Sequence, residues 1–249
     1  MTNLQPIMQE PALFIDSSKT LVIADLHIGI ERELREMGLH IPSQTHLLLQ
    51  HLDRLCSSYR PKHIILLGDV KHNIPSSTIA ERRDVRTVVE HLQSWGTLHV
   101  LPGNHDGNIH KLLPKETQIY SSDGMIQDTI GFLHGHRWPK TELFECETIL
   151  LAHTHPTIML QDRLGVETYE SCWLRGHVLE EKTVKRYPSH KNPEIIVMPA
   201  FNPLCGGVAA NKDTLLGPVC KQLLDVDHAR VFLLDGSSLG KVKDISLSR

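Results

Sequence analysis

The chain has no long apolar run: nothing in its 249 residues approaches the roughly 18 consecutive apolar positions that a membrane-spanning helix needs, and no membrane partner is expected. The opening MTNLQPIMQEPALF lacks a basic stretch followed by an apolar one, so no secretory leader is expected. Cysteine is scarce and scattered. Its five copies (Cys56, Cys146, Cys172, Cys205, Cys220) are odd in number and never in C-x-x-C spacing. That pattern argues against a disulfide framework or a zinc ribbon and points to the reducing cytoplasm. There is no excess of positive charge either. With 26 Lys and Arg against 29 Asp and Glu, the net charge is −3, so no broad basic field marks a nucleic-acid binder, although a local patch stays open. Hydrophobic residues at 40% and charged residues at 22% are ordinary for a folded domain and argue against disorder.

What the chain has in plenty is histidine, 17 residues of it. Imidazole is the commonest metal-binding side chain and the one suited to proton transfer near neutral pH, so placement along the chain matters most.

Short β-branched or Leu-rich runs read as buried strands: 20–24, 63–67, 97–101, 129–133, 148–152, 194–198 and 230–234, with 12–15 as an edge strand. Between the early ones lie amphipathic helical patterns over 30–37, 45–57 and 80–94, the first and third closed by Gly38 and Gly96. Strand and helix alternate, which favours a layered α/β fold. One domain over 1–249 is expected. Residues 161–193, mixed in charge and rich in turn formers, read as an insertion or loop with one or two edge strands.

Five polar clusters each follow one of these strands: Asp25-Leu26-His27, Gly68-Asp69, Gly103-Asn104-His105-Asp106, His134-Gly135-His136 and His153-Thr154-His155. All can meet at the carboxyl edge of a sheet, where open α/β folds bind ligands. Their carboxylate, amide and imidazole groups suit manganese, iron or zinc, with no thiolate set among them. Two such ions sharing a carboxylate would polarise a phosphoryl oxygen and acidify water. A single string such as G-N-H-D is weak; the ordered set at five strand ends is strong. Taken singly, each cluster also fits a helix cap, a turn or a core histidine.

At these residues the sequence resembles the calcineurin-like metallophosphoesterase superfamily, over roughly residues 12–240. ADLHIGIE (24–31), GDVKHN (68–73) and PAFNPLCGG (199–207) look most like its SbcD-related, DNA-ligase-associated phosphoesterases. The resemblance implies a four-layer αββα sandwich, two mixed sheets flanked by helices. It implies two divalent ions, manganese first, with iron, zinc or nickel as alternatives. By resemblance, Asp25, His27 and His155 hold one ion, Asp69 bridges, and Asn104, His134 and His153 hold the other. His105 would act on the leaving oxygen and Asp106 would orient it. His136 competes with His134 for the second ion, and Lys71, His72 and His136 are candidates to touch substrate.

The implied activity is phosphodiester hydrolysis, with single-stranded DNA or another nucleic acid as substrate. A ligase or helicase of DNA repair is implied as partner by the resemblance alone. Hydrolysis of small nucleotides or phosphoesters is the second reading, and a non-catalytic scaffold of the same fold the third. Gly68-Asp69 continues into Val70-Lys71-His72-Asn73, without the D-R-G extension of phosphoprotein phosphatases. Arg82, Arg83 and Arg86 read as a charged solvent face. With Lys182, Lys185, Arg186 and Lys191 they are also the basic residues available to follow a phosphate backbone. Phe201 to Pro203 follow a strand and read as a structural turn, with a place beside the pocket left open.

Overall fold

The computed structural model describes residues 4–245. A first sheet comprises β1 (Leu4–Pro6), β2 (Ala12–Ile15), β3 (Thr20–Ile23), β4 (His63–Leu66), β5 (Thr97–Val100) and β6 (Gln118–Ile119), in that spatial order. β3 to β6 run parallel and β1 to β3 antiparallel. The crossovers carry α1 (Glu31–Glu36), α2 (Thr45–Tyr59) and α3 (Ile79–Gln93). Thr78 caps α3 by accepting from the Glu81 N–H.

The second sheet follows in the chain: β7 (Met125–Gln127), β8 (Ile130–Leu133), β9 (Thr148–Leu151), β10 (Pro156–Gln161), β11 (Glu167–Gly176), β12 (Glu194–Val197), β13 (Val208–Ala209), β14 (Arg230–Leu233) and β15 (Ser238–Lys241). Here β8, β9 and β12 are parallel neighbours, and the hairpins around them antiparallel.

Side-chain alternation sorts the strands into layers. Along β3 and just beyond, Leu21 and Ile23 face the helices while Val22 and Ala24 face the other sheet. Along β9 the pattern mirrors this: Leu150 and Ala152 turn toward the first sheet, Ile149 and Leu151 outward. Trp173, Phe132, Ile196 and Met198 join the central layer. The outer face of the second sheet is covered by Val219, Cys220, Leu223 and Leu224, on and just after α5 (Pro218–Gln222), which follows α4 (Glu180–Thr183). Helix, sheet, sheet and helix layers result, as the family resemblance implied.

Two expectations need correction. Residues 161–193 do not supply edge strands alone: the C-terminal part of β11 is bonded on both sides, Leu174 pairing with both Val197 and Val231. Its polar first half (ETYES) hid this, because that half is exposed and only Cys172 to Leu174 are buried. Ala12–Ile15 is not at the edge, since β1 lies outside it.

Candidate metal centre

Each of the five polar clusters sits in the turn that leaves a strand, and the turns of both sheets meet. Asp25 N–H donates to Gly68 O (3.1 Å), and His27 N–H to Asp69 O (2.9 Å). Across the sheets, His134 Nδ1 donates to Leu67 O (2.9 Å), and His153 N–H reaches Asp25 Oδ2 (3.3 Å). Backbone bonds join the turns within the first sheet, and bonds from the His134 and Asp25 side chains join the two sheets.

Backbone strain marks the same places. Asp25, His27, Asp69, His153 and His155 all have positive φ, between 41° and 72°. A left-handed conformation costs a non-glycine residue about 1–2 kcal/mol. Such residues persist where surrounding structure over-determines them, and they collect at functional sites. Glycine is required next to them for a different reason, close approach. A Cβ on Gly103 would lie 2.1 Å from Asp69 Oδ1, and one on Gly68 would lie 2.2 Å from His134 Nδ1.

Two donor groups share a residue. Asp25, His27 and Asp69 offer ligand atoms within 4.8 Å of one another, and so do Asp69, His134 and His153. His155 joins the first side, its Nε2 3.4 Å from Asp25 Oδ1. Asn104 joins the second, its Oδ1 3.3 Å from His134 Nε2, which is 3.4 Å from Asp69 Oδ2. Between the two histidines left open, the structure brings His134 into the group. His136 packs against it with ring centroids 5.2 Å apart.

The set fits a cation. Asp25 Oδ1, His27 Nε2 and His155 Nε2 are buried atoms with no hydrogen-bond partner among the described residues, and all three belong to the first group or its rim. One such orphan costs about 1–3 kcal/mol; a divalent ion would satisfy all three at once. Mixed carboxylate, imidazole and amide donors match borderline divalent metals.

Charge inside the cluster is strongly coupled. Burial alone would raise the Asp25 and Asp69 carboxyls, but His155 and His134 beside Asp25, and His134 and His27 beside Asp69, outweigh it and hold both low. Burial would depress His134, yet Asp69 and Asp25 carry it up to about 9. His27 and His153, where burial prevails, fall to about 3 and about 4.

His105 stands at the edge of the pair, its ring centroid 4.7 Å from that of His27. Its N–H donates to Asp69 Oδ1 (2.9 Å), and its Nδ1 donates to the His72 carbonyl. A carbonyl can only accept, so the proton is on Nδ1 and Nε2 is the nitrogen left for other chemistry. This corrects the role expected of Asp106. Its carboxylate accepts from Val70 N–H (2.9 Å), Lys71 N–H (3.2 Å) and Gly103 N–H (2.9 Å), bracing two loops against each other and leaving His105 to the His72 carbonyl.

The candidate substrate contacts also divide. Lys71 is only 1% exposed, its Nζ donating to Asn73 O (2.6 Å), so it cannot reach a substrate from there. His72 is a wall of the cluster: Nε2 meets Glu33 Oε2 (2.6 Å) and Nδ1 faces His27 Nδ1 (3.1 Å). His136 keeps a buried Nδ1 without a partner among the described residues. His72 and His105 also form a third potential donor group with His27.

Sequence reading missed Glu33, Glu81 and Cys205. Glu81 looks like half of a capping box with Thr78, but its Oε1 accepts from the His72 and Asn73 N–H groups (2.9 and 2.7 Å), fixing the loop that follows Asp69. Cys205 lies with His27 and His155 in a further potential donor group. The turn before it does lie beside the site, as left open above: Asn202 Nδ2 donates to Leu26 O (2.8 Å), clamping the loop that carries Asp25 and His27.

Fold and site together define a metal-dependent phosphoester hydrolase. The chain belongs to the calcineurin-like phosphoesterase family, whose model matches residues 18–198. It shares its fold with the nuclease MPE of Pseudomonas putida, at 19% identity and a TM-score of 0.55, over 96% of this chain and 100% of that one. The phosphoesterase YfcE of E. coli is more distant, at 15% identity and a TM-score of 0.40, over 89% of this chain and 97% of that one. No curated protein matches the chain.

Proposed function

We propose that the protein hydrolyses phosphodiester bonds in a nucleic-acid strand, single-stranded DNA first. The observation that carries the hydrolytic part is the sharing of Asp69 between two donor groups, with His105 at their edge. Support for the substrate is of another kind. One solved structure that shares the fold, over 96% of this chain, is named a nuclease. The subfamily-like segment PAFNPLCGG is also tied directly to the site through Asn202 and Cys205.

On this reading Asp25, His27 and His155 would hold one divalent ion and Asn104, His134 and His153 the other, with Asp69 available to both. Manganese is the first choice of metal, with iron, zinc or nickel as alternatives. When bound, the ions supply Lewis acidity and lower the pKa of water. The chain's own part is positioning and proton transfer. His105, held by the His72 carbonyl, turns Nε2 toward the reacting phosphate and gives its proton to the leaving oxygen when protonated. Asp106 keeps the Gly103–Asp106 loop and the Asp69–Lys71 loop in register so that this nitrogen and Asp69 stay together. The acidic balance, net −3, favours the second reading, a small phosphodiester or nucleotide as substrate.

End-labelled single-stranded DNA incubated with manganese, beside a chelator control and His105→Ala, tests the proposal. Metal-dependent cleavage lost in the variant is the expected result. Intact DNA alongside hydrolysis of a chromogenic phosphodiester would leave the small-substrate reading standing in its place.

A further inference from the structure

The two loops that frame His105 continue outward and form the walls of a second pocket. One wall is Pro75, Ser76 and Ser77, a few residues beyond His72; another is Gly107 and Asn108, directly after His105-Asp106. Gly107 is two residues past His105, a reach of at most about 7 Å along the backbone. The floor and far side come from α3 and the short 3₁₀ turn Ile109–Lys111: Arg82, Arg86 and Lys111. The pocket holds about 250 Å³ and is open to solvent on one side.

Its charge has one sign. Among the described residues Arg82, Arg86 and Lys111 have no carboxylate within 4.0 Å, whereas their neighbour Arg83 is taken up by Asp84 at 2.9 Å. Arg86 is steadied by the Lys111 carbonyl, to which Nη2 donates at 3.4 Å, so its position is coupled to the loop that bears His105. Two serines add hydroxyls to the rim. In a chain of net charge −3, three such cations gathered in one concavity beside the loops that frame His105 favour an anion there. Guanidinium groups match phosphate oxygens with two donors at once.

We propose that this pocket binds a phosphate flanking the scissile one in a single nucleic-acid strand, so that Arg82, Arg86 and Lys111 make the enzyme select polymers over substrates with one phosphate. The inference rests on the nucleic-acid reading above and goes beyond it by naming the residues that grip the strand. It also changes the reading of α3: Arg82 and Arg86 face a phosphate site and Arg83 alone is solvent decoration.

The test compares wild type, Arg82→Ala/Arg86→Ala and Arg82→Lys/Arg86→Lys on two substrates with manganese, a single-stranded oligonucleotide and bis(p-nitrophenyl) phosphate, across a salt series. Both side chains are exposed, so folding is not at stake. The alanine pair is expected to lose about tenfold or more in kcat/KM on the oligonucleotide relative to its loss on the small diester. The salt dependence on the oligonucleotide should become shallower by about 0.7 per phosphate contact removed, and the lysine pair should recover most of both effects. Equal losses on the two substrates, or an oligonucleotide rate matching wild type, would overturn the assignment. If wild type itself hydrolyses the diester and leaves every oligonucleotide intact, the nucleic-acid reading falls and takes this site with it.

Discussion

Replacing Gly103 by alanine probes the site where it is tightest. The added Cβ would lie 2.1 Å from Asp69 Oδ1 and 2.5 Å from the Asp69 nitrogen, where ordinary contact begins at 3.4 Å. Asp69 cannot swing away freely: Oδ1 accepts the His105 N–H, and Gly103 is itself tied to Asp106. One loop or the other must shift by more than an ångström. A displacement of that size at reacting groups lowers turnover by about 100-fold. The overpacking itself should cost about 1–3 kcal/mol, which for a chain of this length lowers Tm by about 2–12 °C. Turnover of a chromogenic phosphodiester at saturating manganese and a thermal melt read the two effects separately. Activity within threefold of wild type, with a normal metal content, would refute the claim that this glycine lets the two loops close on Asp69.

Three further outcomes follow from the same geometry. His105→Ala should lower kcat by about 10²–10⁴-fold while metal content stays at the wild-type level, because its side chain belongs to proton transfer; loss of metal with activity would make it a ligand. In the metal-free protein His134 holds its proton up to about pH 9, so at pH 7.5 it is charged and metal uptake must expel that proton. Calorimetry in two buffers of different ionisation enthalpy should show release of about one proton or more, with affinity rising as pH climbs toward 9; no release at pH 7.5 would contradict the charge state. Manganese at about 100 times its dissociation constant should stabilise the fold by about 2.7 kcal/mol, and Tm by about 5–11 °C. A melt indifferent to metal and chelator would mean that the buried donors are not satisfied by a cation.

The architecture was largely legible because each buried strand is a short apolar run and each site cluster directly follows one. The run 20–24 reads as a strand covered on both faces, and all five of its residues are buried. β11 escaped because half of it is a solvent-facing ribbon of Glu, Thr and Tyr, which reads as loop until its three-way pairing is seen. At the site, residue identity was readable but hydrogen-bond partnership was not. Asp106 neighbours His105 in sequence, yet its carboxylate turns inward to three backbone N–H groups, and the partner of His105 is a carbonyl 33 positions away. Backbone carbonyls leave no trace in a motif. Lys71 was misplaced for a similar reason: lysine reads as exposed, and only the fold shows it buried with its ammonium on Asn73 O. Arg82 and Arg86 looked like solvent face because helical spacing says which side they occupy and nothing about the loop that comes to meet them.

The central claim, that Asp69 is shared by two metal ions, is tested most directly by anomalous diffraction from crystals grown with manganese. The account predicts two peaks about 3.5–4 Å apart, both in contact with the Asp69 carboxylate, one beside Asp25, His27 and His155 and the other beside Asn104, His134 and His153. A single peak, or two that leave Asp69 untouched, would contradict it.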